Sequence, residues 1–134
     1  MARSGGLLRN SGLLILRVGA SATLFLAHGW PKITHFNEMA DQFANPIGIG
    51  ATASLVLVVF AEVFCTALVA LGLLTRIFAA PIVIFFTVAV FIQHLHDPFG
   101  HKELAVLYGL IFLALLFTGP GRFSLDAWLG REGE

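Results

Sequence analysis

The sequence predicts an all-α membrane protein, in which four antiparallel transmembrane helices form one bundle and a short interfacial helix follows the first. Composition is the first observation behind this fold class: of 134 residues, 57% are hydrophobic and only 12% are charged. A typical soluble domain is about one-quarter charged, and a chain of this size has too small an interior to bury so much apolar surface. The second observation is four apolar runs, each close to the roughly 20 residues that cross a bilayer.

The four predicted spans lie between helix-breaking residues. They cover residues 11–30, 50–74, 77–96 and 100–118. Proline or glycine bounds each run, at Pro31, Pro46, Gly72, Pro98 and Gly119. Because short segments connect the spans, we expect residues 1–134 to form a single integral membrane domain.

Two segments outside the spans contain apolar side chains at helical spacing. Residues 31–46 suit either a short helix in the membrane interface or a solvated connecting loop, and the pattern favours neither. In the interfacial tail, residues 119–134, Ser124 can cap a short helix that places Trp128 at the level of the lipid headgroups.

The distribution of basic residues predicts the orientation. With four spans both termini lie on one face, which collects five arginines: Arg3, Arg9, Arg76, Arg122 and Arg131. The opposite face has Lys32 and Lys102. Because basic residues near span ends mark the cytoplasmic side, we expect both termini on the cytoplasmic side of a cell inner membrane.

Charge and cysteine content exclude several functions. Eight basic residues balance eight acidic ones, so the chain has no basic footprint for nucleic acid. The single cysteine, Cys65, excludes an intramolecular disulfide framework and a membrane thiol oxidant that needs a cysteine pair. The lipid bilayer is therefore the first partner that the composition implies.

Two charged residues fall inside apolar runs. An ionisable side chain at mid-bilayer costs at least about 2.5 kcal/mol, so it usually faces the bundle interior. Arg17 in the first span and Glu62 in the second lie on antiparallel neighbours, and we expect them to form a buried ion pair. Such a pair either fixes the helix register or takes part in a proton relay, and both interpretations stay open.

Histidines gather at the end of the bundle away from the termini. All five lie at or near that end: His28, His35, His94, His96 and His101. His94 and His96 are two residues apart, so only one can face the bundle, and His94 is the deeper. We predict a site formed by four residues under a lid of residues 31–46: His28, Lys32, His94 and Glu103.

These side chains suit hydrogen bonding to the oxygens of a quinone, with Glu103 either orienting a histidine or accepting a proton. His28, His94 and Glu103 could instead ligate a metal ion, although no fixed ligand spacing supports it. Haem held by two histidines on facing helices is the third and weakest option. The catalytic residues, if any, are not predicted.

Several motifs together resemble the DoxX family of small four-helix membrane proteins, over residues 13–129. They are Arg17 with Gly19, residues 28–32 (His-Gly-Trp-Pro-Lys), Ala61-Glu62, residues 72–76 (Gly-Leu-Leu-Thr-Arg), His94, Glu103 and residues 118–126 (Thr-Gly-Pro-Gly-Arg-Phe-Ser-Leu-Asp). The resemblance implies a membrane subunit or anchor of a quinone-linked oxidoreductase or oxidative-stress complex. It also implies soluble or membrane-bound redox partner proteins, with a homo-oligomer as a further option.

The residues and the resemblance together predict a subunit of a quinone-linked redox complex, and this subunit can be a non-catalytic one. Two alternatives stay open. One is a structural anchor in which the polar residues only lock the helices together; the other is a small proton-linked transport module that uses Arg17, His28 and Glu62 as a relay.

Overall fold

The protein folds into four membrane-length helices without strands over the residues that its structure describes. The structure is a computed structural model that describes residues 2–130, with side chains from residue 6 onward. The four spans are Gly6–Thr34, Ala51–Leu71, Thr75–Gln93 and Phe99–Thr118, numbered span 1 to span 4. Arg131 and the last residues of the predicted tail lie outside the described residues, as does the side chain of Arg3. The predicted fold class is confirmed.

The spans form a ring of antiparallel neighbours. Span 1 packs against spans 2 and 4, and span 3 packs against spans 2 and 4. Apolar side chains cover the outside of this ring, where Ile15, Ile84 and Phe117 are 72%, 62% and 74% exposed. An apolar surface of this extent is typical of a bundle that lipid surrounds.

The packed core lies mainly in the half of the bundle nearest the termini. Of the apolar side chains that are at most 1% exposed, Leu55 lies in the opposite half, and the others lie here: Leu24, Cys65, Val69, Ala79, Ile82, Phe112 and Leu115. We call this half the terminal half and the opposite half the distal half. The difference in packing between them decides where a ligand can bind.

Spans 1 to 3 each contain a π-helical segment. The segments are Phe25–Gly29, Phe60–Cys65 and Ala89–Gln93. After the third segment, for example, the His94 N–H donates to the Ala89 carbonyl five residues earlier, at 2.9 Å. A π turn contains one more residue than an α turn, so it rotates the side chains that follow it, and such turns are frequent at functional sites.

Span 1 is longer than the sequence predicted. It continues through Pro31 to Thr34, because Pro31 falls at the start of the α-helical segment Trp30–Thr34, where a missing N–H costs little. A separate short helix, Phe36–Met39, follows. The segment predicted to be an interfacial helix or a loop is therefore partly transmembrane helix, partly short helix and partly turn.

The tail folds back under the terminal half. As predicted, Ser124 caps a short helix, Leu125–Trp128, with its hydroxyl accepting from the Ala127 N–H at 3.2 Å. The Asp126 carboxylate accepts from the N–H groups of Leu74 and Thr75 at 2.7 and 3.0 Å, which caps the start of span 3.

Gly72 permits this close approach of the tail. It has φ of +74°, and a Cβ there would lie 2.4 Å from the Ser124 Cβ. Its carbonyl also accepts from the Asp126 N–H at 2.8 Å. Any side chain at position 72 would therefore push the tail away from the bundle.

Candidate functional site

The distal half contains a cavity of about 680 Å³. All four spans and the turn at residues 43–49 contribute to its wall. Most lining side chains are apolar, and the polar groups among them are His28, Lys32, Ser54, Glu62, Gln93, His94, His101 and Tyr108. A mainly apolar cavity with a few polar groups is the usual form of a small-molecule site, for which volumes of about 300–1,000 Å³ are typical.

Spans 1 and 2 cross in direct contact at their π segments. A Cβ at Gly29 would lie 2.6 Å from the backbone oxygen of Glu62 and 3.0 Å from Val63 Cγ2. Only glycine fits here, so the two backbones can touch. Lys32, which follows Gly29 by less than one turn, is thereby placed beside the Glu62 side chain.

Lys32 and Glu62 form an ion pair in the cavity wall. Lys32 Nζ lies 2.8 Å from Glu62 Oε1, and the two side chains are 16% and 3% exposed. The ammonium group also donates to the His28 carbonyl at 3.2 Å. An ammonium has three N–H donors, and these two contacts occupy at most two of them, so at least one remains for a further acceptor.

The predicted pair of Arg17 and Glu62 does not form, because each has a different partner. Arg17 donates to three backbone carbonyls: Ala70 at 3.2 Å, Pro120 at 2.7 Å and Phe123 at 3.0 Å. Ala70 lies eight residues beyond Glu62, about 12 Å along a helix. Arg17 therefore lies too far towards the termini to reach Glu62, and it fastens the tail to the bundle.

Aromatic rings form one side of the cavity. The His28 ring meets Tyr108 edge to face, with centroids 5.9 Å apart and an interplanar angle of 88°. Tyr108 in turn stacks on Phe86, at 5.4 Å and 17°. Tyr108 was not among the predicted site residues; the signal that could have identified it is a phenol hydroxyl in the middle of an apolar span.

His94 lies where the cavity meets the aqueous edge. It lines the cavity, its side chain is 38% exposed, and its Nδ1 lies 2.7 Å from Asp97 Oδ2. Asp97 is in the turn between spans 3 and 4. The hydrogen bond from His94 lowers the pKa of Asp97, and the charges of His101 and Lys102 act in the same direction. Asp97 therefore holds the His94 ring in place while it is ionised.

Other predicted site residues lie elsewhere. Glu103 is exposed on the first turns of span 4 and is not part of the cavity wall. His35 and His96 are exposed, whereas His101, which was not part of the predicted site, lines the cavity. The rotation of each helix about its own axis decides which side chains face the cavity. The spacing of residues along the chain does not predict that rotation.

Two further expectations concern the metal and the lid. Among the described residues, no three histidine, cysteine, aspartate or glutamate side chains lie close enough together to hold a metal ion. The predicted lid, residues 31–46, contributes Phe43, Ala44 and Pro46 to the wall, and Ile47 and Ile49 extend it.

Comparison with known proteins gives one family and two relatives. The sequence model of the DoxX family matches residues 12–95. The chain is 34% identical over 126 residues to an uncharacterized membrane protein, Rv3486, of Mycobacterium tuberculosis, covering 81% of this chain and 76% of that one. It is 30% identical over 129 residues to the inner membrane protein YqjF of Escherichia coli, covering 93% and 97%. No solved structure matches the chain significantly.

Proposed function

The chain belongs to the DoxX family of multi-pass membrane proteins, and from that premise we propose that it is a quinone-binding membrane subunit of a redox complex. One observation carries the proposal. The Lys32–Glu62 ion pair and the His28 ring lie in the wall of an otherwise apolar cavity large enough for a quinone ring.

The chemistry of the wall matches a quinone ring. A quinone presents two carbonyl oxygens, which accept hydrogen bonds, on a flat and otherwise apolar ring. The third N–H of Lys32 and a ring N–H of His28 are the donors that we assign to one such oxygen. Tyr108, held by its stack on Phe86, adds an aromatic side chain to the wall beside the ring.

Glu62 has two roles in this proposal. It neutralises Lys32, which reduces the cost of holding an ammonium group at this depth. It is also the carboxylate nearest to a ligand oxygen bound at Lys32, so it is placed to exchange a proton when the quinone is reduced or oxidised. The electrons come from or go to a partner protein.

The structure favours this function over the two alternatives. An anchor without a ligand has no use for a cavity beside a buried ion pair. A proton path would have to continue from Glu62 through the terminal half, where Cys65, Phe112 and Leu115 are fully buried. The tail, which is hydrogen-bonded to Arg17, covers the terminal end of that half.

We further propose that both termini are cytoplasmic and that the cavity lies in the outer half of the inner membrane. Arg9, Arg76 and Arg122 are exposed at the terminal end, as basic residues on the cytoplasmic side should be. The partner protein would then dock at the outer rim, beside His94 and Asp97.

The test is photo-crosslinking of the whole protein in lipid nanodiscs with an azido-quinone. We expect labelled peptides from the cavity wall, and we expect unlabelled quinone to compete with the label. Lys32→Met should weaken competition by about tenfold or more, because a hydrogen bond to a charged group contributes about 1.5–3 kcal/mol.

The matched control is Lys102→Met, since Lys102 does not line the cavity and donates to the Leu95 carbonyl outside it. Label that quinone does not displace, or equal affinities for the two variants, would contradict the proposal.

A further inference from the structure

The cavity wall is incomplete between spans 2 and 3. Leu57 and Phe60 on span 2 and Ile84 on span 3 all line the cavity. They are also 53%, 41% and 62% exposed. Side chains that are so exposed and yet line a cavity must also reach the outer surface of the bundle. In a membrane-spanning bundle, that surface contacts lipid chains.

The topology explains why the gap lies here. The turn at residues 72–74 joins spans 2 and 3 at the terminal end, where the two helices pack closely. Phe64 meets Phe78 edge to face with centroids 5.6 Å apart, and Ala79 is fully buried. The first part of span 2, Ala51–Val59, makes few contacts with span 3. The two helices therefore diverge from their shared turn and leave a gap at the level of the cavity.

The cavity has two openings of opposite chemistry. Its aqueous rim carries His94 and His101, with Asp97 bonded to His94. On the side between spans 2 and 3, the cavity lining includes Leu57, Phe60, Ile84 and Val88, which are all apolar. A ligand with one polar end and one apolar end would thus be held in a single orientation.

We propose that the gap between spans 2 and 3 is a lateral portal that holds the aliphatic tail of the ligand and admits it from the bilayer. The inference rests on the proposed function, in which the polar ring lies at Lys32. It adds that the ligand class is a lipid-soluble amphiphile, and that the tail is a second recognition element. A water-soluble metabolite would have no use for an apolar opening at this depth.

A second apolar groove supplies a matched control. It lies between spans 1 and 4, and its lining includes Leu16, Leu107 and Ile111. Leu107 is 51% exposed, against 53% for Leu57, but it does not line the cavity. Tryptophan at either position faces lipid, so both variants should fold alike, and only the tryptophan at position 57 would fill the portal.

The experiment compares two quinones with the same ring, one with a ten-carbon tail and one without a tail, for binding to the protein in nanodiscs. Leu57→Trp should weaken binding of the tailed quinone by about tenfold, which is the effect of losing about two buried methylene groups. Binding of the tailless quinone should change by less than about twofold, within the ordinary scatter of surface substitutions. Leu107→Trp should change neither affinity.

Ile84→Trp repeats the test from the other side of the portal, in case the Leu57 variant does not fold. If the portal variants lose the same affinity for both quinones, or lose affinity for neither, the portal proposal is wrong. The proposed binding of the quinone ring at Lys32 would still stand. Failure of both quinones to bind the wild-type protein would overturn the proposed function and the portal with it.

Discussion

The two halves of the bundle both hold a buried cation, and they use it differently. In the terminal half Arg17, 2% exposed, donates to three backbone carbonyls that come from span 2 and the tail. In the distal half Lys32 pairs with one carboxylate beside a cavity. The planar guanidinium with its fixed fork of donors suits the first task, and the compact ammonium with a donor to spare suits the second.

The difference shows how to separate a structural charge from a functional one in a membrane protein. Arg17 is surrounded by carbonyls and fully buried apolar residues, so its replacement should affect folding first. Lys32 and Glu62 border open space, so their replacement should affect binding first. Both kinds of residue are costly at membrane depth, and depth alone does not distinguish them.

The largest expected effect is a loss of stability from a substitution in the terminal half. Arg17→Leu should lower the free energy of unfolding by about 3–5 kcal/mol, because three carbonyls lose a charged donor and each such bond contributes about 1.5–3 kcal/mol before partial compensation. Arg17→Lys should recover little of this, since one ammonium cannot reproduce the guanidinium geometry. Equilibrium unfolding in mixed micelles measures both variants.

Arg122→Leu is the control for Arg17, because Arg122 lies in the tail that Arg17 binds and has an exposed side chain. It should change stability by no more than about 0.5 kcal/mol. A double-mutant cycle between Arg17→Leu and Glu62→Gln should give additive losses, as expected for side chains well apart. Strong coupling would restore the ion pair predicted from the sequence and contradict the separation of the two halves.

A smaller effect is expected where spans 1 and 2 cross. Gly29→Ala should lower stability by about 1–3 kcal/mol, the usual range for overpacking, because the new methyl group would meet the Glu62 carbonyl. It should also weaken quinone binding, since separating the spans moves Lys32 away from Glu62.

Gly19→Ala is its matched control on the same helix, because a Cβ there meets nothing within 4 Å. That change should be neutral or should stabilise the helix by up to about 1 kcal/mol. Thermal unfolding and crosslinking are measured together. If both alanine variants behave alike, the contact at the crossing does not position the site.

Much of the fold follows from the sequence, because four apolar runs between breakers leave few alternatives to a four-helix bundle. The same patterns indicated that His28, Lys32 and His94 lie at one end. They could not indicate the π turns, since hydropathy carries no information on whether an N–H bonds four or five residues back. Each π turn rotates the side chains that follow it on spans 1 to 3. Glu103 lies outside the cavity because of the rotation of span 4, which hydropathy does not give either.

The partners of the charged residues were also beyond the sequence. Depth along the spans suggested that Arg17 faces Glu62, but the carbonyls that bind Arg17 belong partly to a tail more than 100 residues away in the chain. That tail reaches Arg17 only because Gly72 leaves room for Ser124. Contacts between residues so far apart in the chain cannot be predicted from the spacing of neighbouring residues.

The smallest expected effect concerns the aqueous rim, and it sharpens the comparison because its charges are exposed. The folded-state pKa of Asp97 is lowered by the hydrogen bond from His94. A carboxyl group with a lowered pKa contributes stability above its unfolded pKa, which is about 3.9 for aspartate, and that contribution is lost as the pH falls through the lower folded value. Asp97→Asn should therefore lose this contribution at neutral pH, where it is small because the side chain is exposed, and should make stability less dependent on pH below about 4. Unfolding midpoints from pH 7 to pH 3 measure this, with Asp41→Asn, an exposed residue of the other distal loop, as the control. A large loss at neutral pH for Asp97→Asn alone would mean that the rim supports the fold as Arg17 does, and the contrast between the two halves would fail there.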